Sequence, residues 1–331
     1  MGVRASHIFQ SPDKRNIMKS IITKKKKKKS LPKTVHLIAY IATAMSHYLS
    51  KIIPLKAWIL LGRSFGSLLY MISWNHTKIA LTNLRFALGE EKDKKEYRRI
   101  ARETFQQFGM SGFEWIRIWG INKDKMHEIF DLISFEGKEH LDNARRKSKF
   151  NSVILLSSHS GNWEYTHIKY ASTINPLTFI VRKIDNPFLE KKRLQTNSEA
   201  GVKILYKENG LRYAIKNLKN SKDMVIFADR KARKKEGIPS QFFGHKTSTL
   251  SIVPALAMKY KVPVVPMCIF REPDLIHHKI KFFPALDIDG LDIPEATLVQ
   301  NRALERIIRD HPNHWLWFHR KWKCYHSDIY K

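Results

Sequence analysis

The chain has 331 residues and carries 60 Lys and Arg against 30 Asp and Glu, which gives a formal net charge of +30 at pH 7. Hydrophobic residues make up 43% and aromatic residues 11% of the chain, which excludes a disordered protein. The two cysteines, Cys268 and Cys324, are far apart in sequence, form no metal-ligand spacing and suggest a reducing compartment. The charge favours a polyanionic partner: nucleic acid, anionic lipid or an acidic carrier protein.

Residues 1–34 are predicted to form a basic, disordered tail. Residues 24–29 are an unbroken run of lysine, and no apolar segment of the kind found in a secretory signal precedes this run. Such a run is either solvated or in contact with anionic lipid headgroups, and the sequence leaves both interpretations open.

Residues 35–80 are predicted to form a helical membrane-anchoring region. Residues 37–49 and 55–74 are strongly apolar, but neither stretch reaches the eighteen or so uncharged residues of a transmembrane helix. They fit helices packed on a soluble core or helices that lie in or dip into a membrane. The second interpretation is favoured by aromatic residues that suit a membrane interface, namely Trp58, Tyr70 and Trp74.

Residues 81–331 are predicted to form one α/β domain. From residue 150 onward, short apolar runs rich in β-branched residues alternate with helical patterns. The predicted strands cover residues 153–156, 179–181, 224–228 and 262–270, and the predicted helices cover residues 164–171, 188–199, 211–218 and 250–260. This alternation predicts a largely parallel central sheet flanked by helices.

Each predicted strand is followed by a polar residue that could take part in chemistry. These residues are His159, Arg182, Asp229 with Arg230, and Arg271. Ligands of open α/β sheets bind beyond the carboxyl ends of the strands. The side chains are therefore candidates for a single pocket.

The turn after the first of these strands combines several features of a catalytic site. Gly161 permits unusual backbone dihedrals, Asn162 is a good helix N-cap, and Glu164 falls in the first turn of the next helix. Across such a turn Glu164 can meet His159, fix its tautomer and leave the other ring nitrogen as a base. A histidine and a glutamate that only cap the helix and pair would give the same pattern.

Several short motifs occur in order along the chain. They are LTNLRFAL at 81–88, HSGNWE at 159–164, VR at 181–182, DNP at 185–187, FAD at 227–229, QFFG at 241–244, VPVVP at 262–266 and HWLWFHRKWK at 314–323. Together they resemble the lipid A biosynthesis (lauroyl/myristoyl) acyltransferases, a family of the HxxxxE-type lysophospholipid acyltransferases. The resemblance covers residues 37–325 and implies that residues 81–331 are a glycerolipid-acyltransferase-like catalytic domain.

The resemblance implies an activity in late lipid A and lipopolysaccharide biosynthesis. Family members move a fatty acyl group from acyl carrier protein to a hydroxyl of a 3-hydroxyacyl chain on a lipid A precursor. His159 would remove the hydroxyl proton, and Glu164 would orient His159 and stabilise its cationic form. Neither a metal nor a cofactor is implied.

The resemblance also implies substrate-binding residues and a location. Arg182, Asp229, Arg230 and Asn162 map onto positions near the site, where arginines can bind phosphate or sugar-linked anions. The enzyme would work at the anionic surface of the bacterial inner membrane, with its catalytic domain facing the cytoplasm.

The acidic carrier protein would meet a basic rim around the pocket. Candidates for that rim are Arg233, Lys234, Lys235, Arg320, Lys321 and Lys323.

The chain departs from the family pattern at a few positions. Arg230 and His314 stand where the family more often has glutamine, and residues 245–247 replace a more usual Arg-Pro-Ala-like run. Contacts with the acceptor are therefore expected to differ, whereas His159 and Glu164 match the motif.

Other functions stay open at this stage. Within acyltransferases, the acceptor could be a glycerolipid or a mannosylated phosphoinositide, and coenzyme A could replace the carrier protein. A basic nucleic-acid-binding protein is disfavoured because the sequence has no zinc spacing, RNA-recognition signature or basic helix-turn-helix pattern. A scaffold that kept the fold and lost activity is disfavoured by the intact His159 and Glu164.

Overall fold

The computed structural model describes residues 31–121, 123–206, 210–233 and 237–331. The lysine run and two of the predicted rim residues, Lys234 and Lys235, lie outside the described residues. Residues 31–331 form one compact unit. The division into a tail, an anchoring region and a catalytic domain at residues 34 and 80 stays a prediction.

Helices form the first part of the described chain. They are α1 (Lys33–Ile52), α2 (Leu55–Ile72), α3 (Trp74–Leu88) and α4 (Lys94–Ile118). Prolines stand directly before α1 and α2, where their fixed φ angle suits a helix start and their missing N–H leaves no bond unmade. Asp93 caps α4 by accepting a hydrogen bond of 2.6 Å from the backbone N–H of Glu96.

Glycines bring α2 and α4 into backbone contact. A Cβ atom on Gly109 of α4 would lie 2.3 Å from the carbonyl oxygen of Gly62, and one on Gly66 would lie 2.3 Å from that of Phe105. Neither position therefore tolerates a side chain without the helices moving apart. This close packing fixes α2 on the helix that also reaches the candidate site.

The outer faces of α1 and α2 are apolar and exposed. On α1, residues spaced like one helix face form a stripe: Ile38, Ile41, Met45, Tyr48 and Ile52. On α2, the exposed apolar residues include Leu61, Phe65, Leu68 and Ile72. Among the described residues, no helix is both long and apolar enough to cross a membrane.

The described strands confirm the predicted α/β fold. A seven-stranded sheet has the order β1-β9-β8-β2-β5-β3-β4, and all neighbours within it are parallel except β8 and β9. Its strands are β1 (Ile133–Glu136), β2 (Ile154–Ser157), β3 (Leu177–Val181), β4 (Val202–Tyr206), β5 (Asp223–Phe227), β8 (Val264–Arg271) and β9 (His278–Phe282). An antiparallel pair, β6 (Ile238–Phe242) and β7 (His245–Thr249), stands apart from this sheet.

Helices cover both faces of the sheet. They are α5 (His127–Phe130), α6 (Lys138–Lys147), α7 (Trp163–Thr173), α8 (Pro187–Glu199), α9 (Gly210–Lys219), α10 (Ile252–Tyr260) and α11 (Ile293–Asp310). Successive residues at the central strand β2 enter different cores: Ile154 and Leu156 join one, whereas Leu155 and Val153, the residue before the strand, join the other. The continuous apolar runs that predicted the strands reflect this burial on both faces.

Candidate active site

The turn between β2 and α7 has the local structure that the sequence predicts. Gly161 has a φ of +56°, and a Cβ atom there would lie 2.4 Å from the carbonyl oxygen of Ile269, so only glycine fits. The Asn162 side chain caps α7 by accepting a hydrogen bond of 3.3 Å from the N–H of Tyr165. The turn is also tied to the C-terminal segment, because Gly161 donates its N–H to the carbonyl of His314 at 3.0 Å.

His159 pairs with Asp229. Its Nδ1 lies 2.9 Å from Oδ1 of Asp229, and its backbone N–H donates to Oδ2 of the same carboxylate at 2.9 Å. The indole N–H of Trp315 donates to Oδ2 from another side, also at 2.9 Å. Because a carboxylate accepts, the neutral ring carries its proton on Nδ1 and leaves Nε2 as a proton acceptor.

Asp229 is held in its ionised form. The residue is only 1% exposed, and burial alone would raise the pKa of its carboxyl group. The charge of His159 and the hydrogen bonds from His159 and Trp315 outweigh burial and keep the pKa of Asp229 below its ordinary value. The carboxylate can therefore stabilise a protonated His159.

Strand register explains why these two residues meet. The strands β2 and β5 are parallel neighbours, and Ser157 lies opposite Phe227. His159 and Asp229 each follow two residues later, so both leave the sheet at the same level of its carboxyl edge.

The predicted hydrogen bond between Glu164 and His159 is not formed. Glu164 lies in the first turn of α7 as predicted, but its Oε2 is 3.5 Å from Nε2 of His167 on the same helix. Nδ1 of His159 already bonds Asp229, which the adjacent strand end brings to the ring. In this structure Asp229 therefore orients His159, the role that the sequence assigned to Glu164.

An apolar cavity opens beside the pair. Its volume is about 200 Å³, and its lining combines aromatic and small residues with a few polar ones: Phe108, Ser111, Gly112, Trp115, Asn162, Trp163, Glu164, Ile184 and Arg193. Neither His159 nor Asp229 lines this cavity; it is connected to the pair through Trp163, whose ring lies 5.4 Å from that of His159. Glu164 thus belongs to the cavity wall.

The two arginines predicted to bind substrate have different surroundings. Arg182 is paired with Asp185 at 3.0 Å, and both side chains are largely exposed. Arg230 donates from Nε to Nε2 of His319 at 3.2 Å. Burial, helped by the charge of Arg230, lowers the pKa of His319 to about 3, so its ring is neutral and can accept this bond.

Lys321 is buried beneath the site. Its side chain is fully buried, its Nζ lies 4.3 Å from the centre of the Phe242 ring, and it has no hydrogen-bond partner among the described residues. Burial lowers the pKa of Lys321 to about 8, against the attraction of Asp229 and Glu305. Its predicted place in an exposed basic rim is therefore wrong, because Phe242 and its surroundings enclose it.

A buried ion pair holds the turn between β2 and α7 through Asn162. Arg271 donates to both carboxylate oxygens of Glu114, at 2.5 and 2.7 Å, and both side chains are 1% exposed. Nδ2 of Asn162 donates to the same carboxylate at 2.8 Å. Both polar ends of Asn162 are thus engaged within the protein, and its predicted role in substrate binding stays a prediction.

The charge of Glu114 is maintained despite its burial. Burial alone would raise its pKa, but Arg271 and His278 outweigh burial and hold the pKa below its ordinary value. His278 lies 3.5 Å from the carboxylate, and burial lowers the pKa of this histidine to about 4.

The sequence prediction missed several residues around the site. Trp315 and His319 lie in the motif at 314–323, whose alternation of aromatic and basic residues was the available signal. For Glu114 the sequence offered only a weak signal, a single acidic residue between two aromatic neighbours. Among the described residues, no cluster of His, Cys, Asp and Glu could hold a metal ion.

Comparisons with known proteins give matches over most of the chain. Residues 23–324 match the model of a family described as bacterial lipid A biosynthesis acyltransferase. A lipid A biosynthesis palmitoleoyltransferase of Escherichia coli (strain K12) is 21% identical over 277 residues, which cover 82% of this chain and 86% of that protein. A lipid A biosynthesis acyltransferase of Shigella flexneri has the same identity and coverage.

Proposed function

Because the chain belongs to the bacterial lipid A biosynthesis acyltransferases, we propose that it transfers a fatty acyl chain from acyl carrier protein to a hydroxyl of a 3-hydroxyacyl chain on a lipid A precursor. Family membership makes it an acyltransferase of lipid A biosynthesis; the donor, the acceptor and the step are proposed. The observation that carries the proposal is the His159–Asp229 pair beside an apolar cavity.

His159 is the proposed general base. Nε2 of His159 takes the proton of the acceptor hydroxyl while the hydroxyl oxygen attacks the thioester carbonyl. The tetrahedral intermediate collapses, the carbon–sulphur bond breaks, and the proton on Nε2 passes to the leaving thiolate. Asp229 fixes the ring through Nδ1 and stabilises the imidazolium between the two proton transfers.

The remaining site residues act on the substrates in this proposal. Arg230, exposed beside His319, binds an anionic group of the acceptor, and Arg182 does so after exchanging Asp185 for that group. Glu164 lies in the cavity wall, with its carboxylate 3.5 Å from Nε2 of His167, and a catalytic role for it stays a prediction.

One experiment tests the proposed reaction directly. Membranes containing the enzyme are incubated with labelled acyl carrier protein thioesters and a tetra-acylated, Kdo-bearing lipid A precursor, and the products are read by mass spectrometry. A penta-acylated product is expected. Acylation of a lysoglycerolipid but not of the lipid A precursor would establish the alternative acceptor.

The salt dependence of the reaction rate distinguishes acyl carrier protein from coenzyme A as the acyl donor. An acidic carrier protein is steered by exposed basic residues such as Arg233 and Lys323, and salt weakens this attraction over about 10 Å at 0.1 M. Adding salt should therefore lower kcat/KM for the carrier-bound acyl chain more than for acyl coenzyme A. Equal losses would assign the basic surface to the lipid.

The cavity beside His159 is proposed to hold the acyl chain, and Gly112 to limit its length. A Cβ atom on Gly112 would meet nothing within 4 Å, so larger side chains there can occupy the cavity without disturbing α4. Gly112→Leu and Gly112→Phe are expected to shift the preferred donor to progressively shorter chains. Gly112→Ala is the matched control, and an unchanged preference in Gly112→Phe would place the chain elsewhere.

Attachment to the cytoplasmic face of the bacterial inner membrane is also proposed. The exposed apolar stripes of α1 and α2 suit insertion into the headgroup region, and the excess of basic residues suits an anionic surface. Neither feature requires a helix that crosses the membrane.

Replacing apolar residues of the α1 stripe tests this attachment. Ile38 and Ile52 are 66% and 79% exposed, and the double change Ile38→Ser with Ile52→Ser is expected to weaken vesicle binding on the order of tenfold or more. The matched control replaces Leu194 and Tyr213, exposed on other helices, by serine. Binding that is lost in high salt but unaffected by the stripe variant would mean a purely electrostatic attachment.

A further inference from the structure

A second cavity lies between α3 and the C-terminal segment. Its volume is about 220 Å³, and it is lined by Asn75, Lys78, Ile79, Thr82, Arg320, Tyr330 and Lys331. One bound water needs only roughly 10–15 Å³ measured in this way, so the cavity can hold a group of several atoms. None of these residues lines the cavity beside His159.

The lining of the second cavity suits an anion. It contains the cationic side chains of Lys78, Arg320 and Lys331, together with the neutral hydrogen-bonding groups of Asn75 and Thr82, and no aspartate or glutamate. Lys78 donates to the main-chain oxygen of Lys331 at 2.7 Å, which leaves its other two ammonium protons for a ligand. The side chains that line the cavity therefore carry three positive charges, of which that of Lys78 is bonded to a main-chain oxygen of Lys331.

Arg320 offers a buried hydrogen-bond donor at this cavity. Its guanidinium lies 5.9 Å from the centre of the Tyr330 ring, and its Nε is buried without a hydrogen-bond partner among the described residues. A buried donor that stays unpaired is costly, and a guanidinium matches the oxygens of a phosphate group. A phosphate in the cavity would satisfy this donor.

The surroundings indicate that the phosphate belongs to an amphiphile. Asn75, which lines the cavity, directly follows Trp74, whose side chain is 75% exposed. Met71 and Ile72, just before Trp74 in the chain, are 73% and 65% exposed. An apolar rim next to a cationic cavity is the arrangement that a lipid with a phosphate headgroup requires. Free phosphate would use only the cavity and gain nothing from the rim.

We propose that this cavity binds the phosphate headgroup of a membrane lipid, at a site separate from the one that transfers the acyl chain. The recognised chemistry is a phosphate ester carrying net negative charge. Only the source of the ligand rests on the proposed membrane attachment; the cavity and its charges do not depend on the acyl transfer.

Calorimetric titration of the full-length protein tests the proposal with a soluble probe. Dihexanoyl phosphatidic acid, kept below its micelle concentration, is titrated into the wild type and into a variant with Lys78→Gln and Arg320→Gln. The variant is expected to lose at least about tenfold in affinity, because hydrogen bonds to charged groups are of that order. The control, Lys95→Gln with Arg98→Gln, removes two exposed charges of α4 and should bind like the wild type.

Further arms of the titration decide between ligands. Dihexanoyl phosphatidylcholine should bind at least tenfold more weakly, because its headgroup has no net charge. Inorganic phosphate should compete, but more weakly than the lipid; equal affinities would overturn a lipid ligand. Equal losses in both protein variants would overturn the site itself.

The single change Lys78→Gln keeps the test decisive if replacing Arg320 disturbs folding. It should weaken binding without altering thermal unfolding, and unchanged affinity would count against the site. Because no acyl donor is present, the binding result and the acyl-transfer assay can fail independently of each other.

Discussion

Asp229→Asn is expected to lower the rate of acyl transfer by about 10⁴-fold, the effect of the same change behind the catalytic histidine of a serine protease. The asparagine has one oxygen to accept bonds, whereas the carboxylate accepts from Nδ1 and the backbone N–H of His159 and from Trp315. Its amide N–H₂ would favour the tautomer that carries the proton on Nε2. The ring would then be unable to accept the hydroxyl proton.

Comparison variants separate the contributions to this loss. His159→Ala removes the base and should cost on the order of 10²–10⁴-fold. Asp289→Asn, at an exposed position, is the matched control and should leave kcat unchanged. Initial rates are measured with the acyl carrier protein thioester, and circular dichroism checks the fold.

The change Glu164→Gln tests which carboxylate, that of Asp229 or that of Glu164, acts on His159. A smaller loss than in Asp229→Asn is expected, because Glu164 contacts His167 and the cavity and not His159. Equal losses would mean that both carboxylates act on His159. A larger loss in Glu164→Gln, with Asp229→Asn active, would overturn the assignment of Asp229.

Glu114→Ala is expected to lower the free energy of unfolding by about 3–5 kcal/mol, the range for breaking a buried ion pair from one side. The change leaves the Arg271 guanidinium buried without its carboxylate, and it removes the acceptor for Nδ2 of Asn162. Since Asn162 caps α7 directly after the His159 turn, activity should fall together with stability.

Urea unfolding measures this loss of stability, and an m-value equal to that of the wild type shows that the change is one of stability alone. The control is Asp185→Ala, which breaks an ion pair whose side chains are 66% and 70% exposed and should cost less than about 1 kcal/mol. If Glu114→Ala cost as little as this control, the pair would not anchor the turn. The double change Glu114→Leu with Arg271→Met should be less destabilising, because neither charge is left alone.

Local patterns in the sequence predicted the main strands and the turn that carries His159. Runs such as residues 153–156 are apolar throughout because both faces of the sheet are covered, and this property is visible in a short window. Gly161 and Asn162 were interpreted correctly for the same reason, since a positive φ and an N-cap depend on neighbouring residues. The sequence analysis did not predict β1, β4, β6, β7 or β9, and of these the polar strands β6 and β7 have no such apolar run.

The partner of His159 was decided only by the tertiary structure. Glu164 is five residues from His159 and Asp229 is seventy, so sequence distance favoured Glu164, but hydrogen bonding between β2 and β5 sets Asp229 at the level of the ring. Glu114 of α4 and Arg271 of β8, 157 residues apart, meet because the helix packs close to this strand. Packing also buries Lys321 within a motif that looks like an exposed basic run. Spacing along the chain limits which residues can be local neighbours. Strand order and register determine which distant residues meet, and both depend on the packing of the whole sheet.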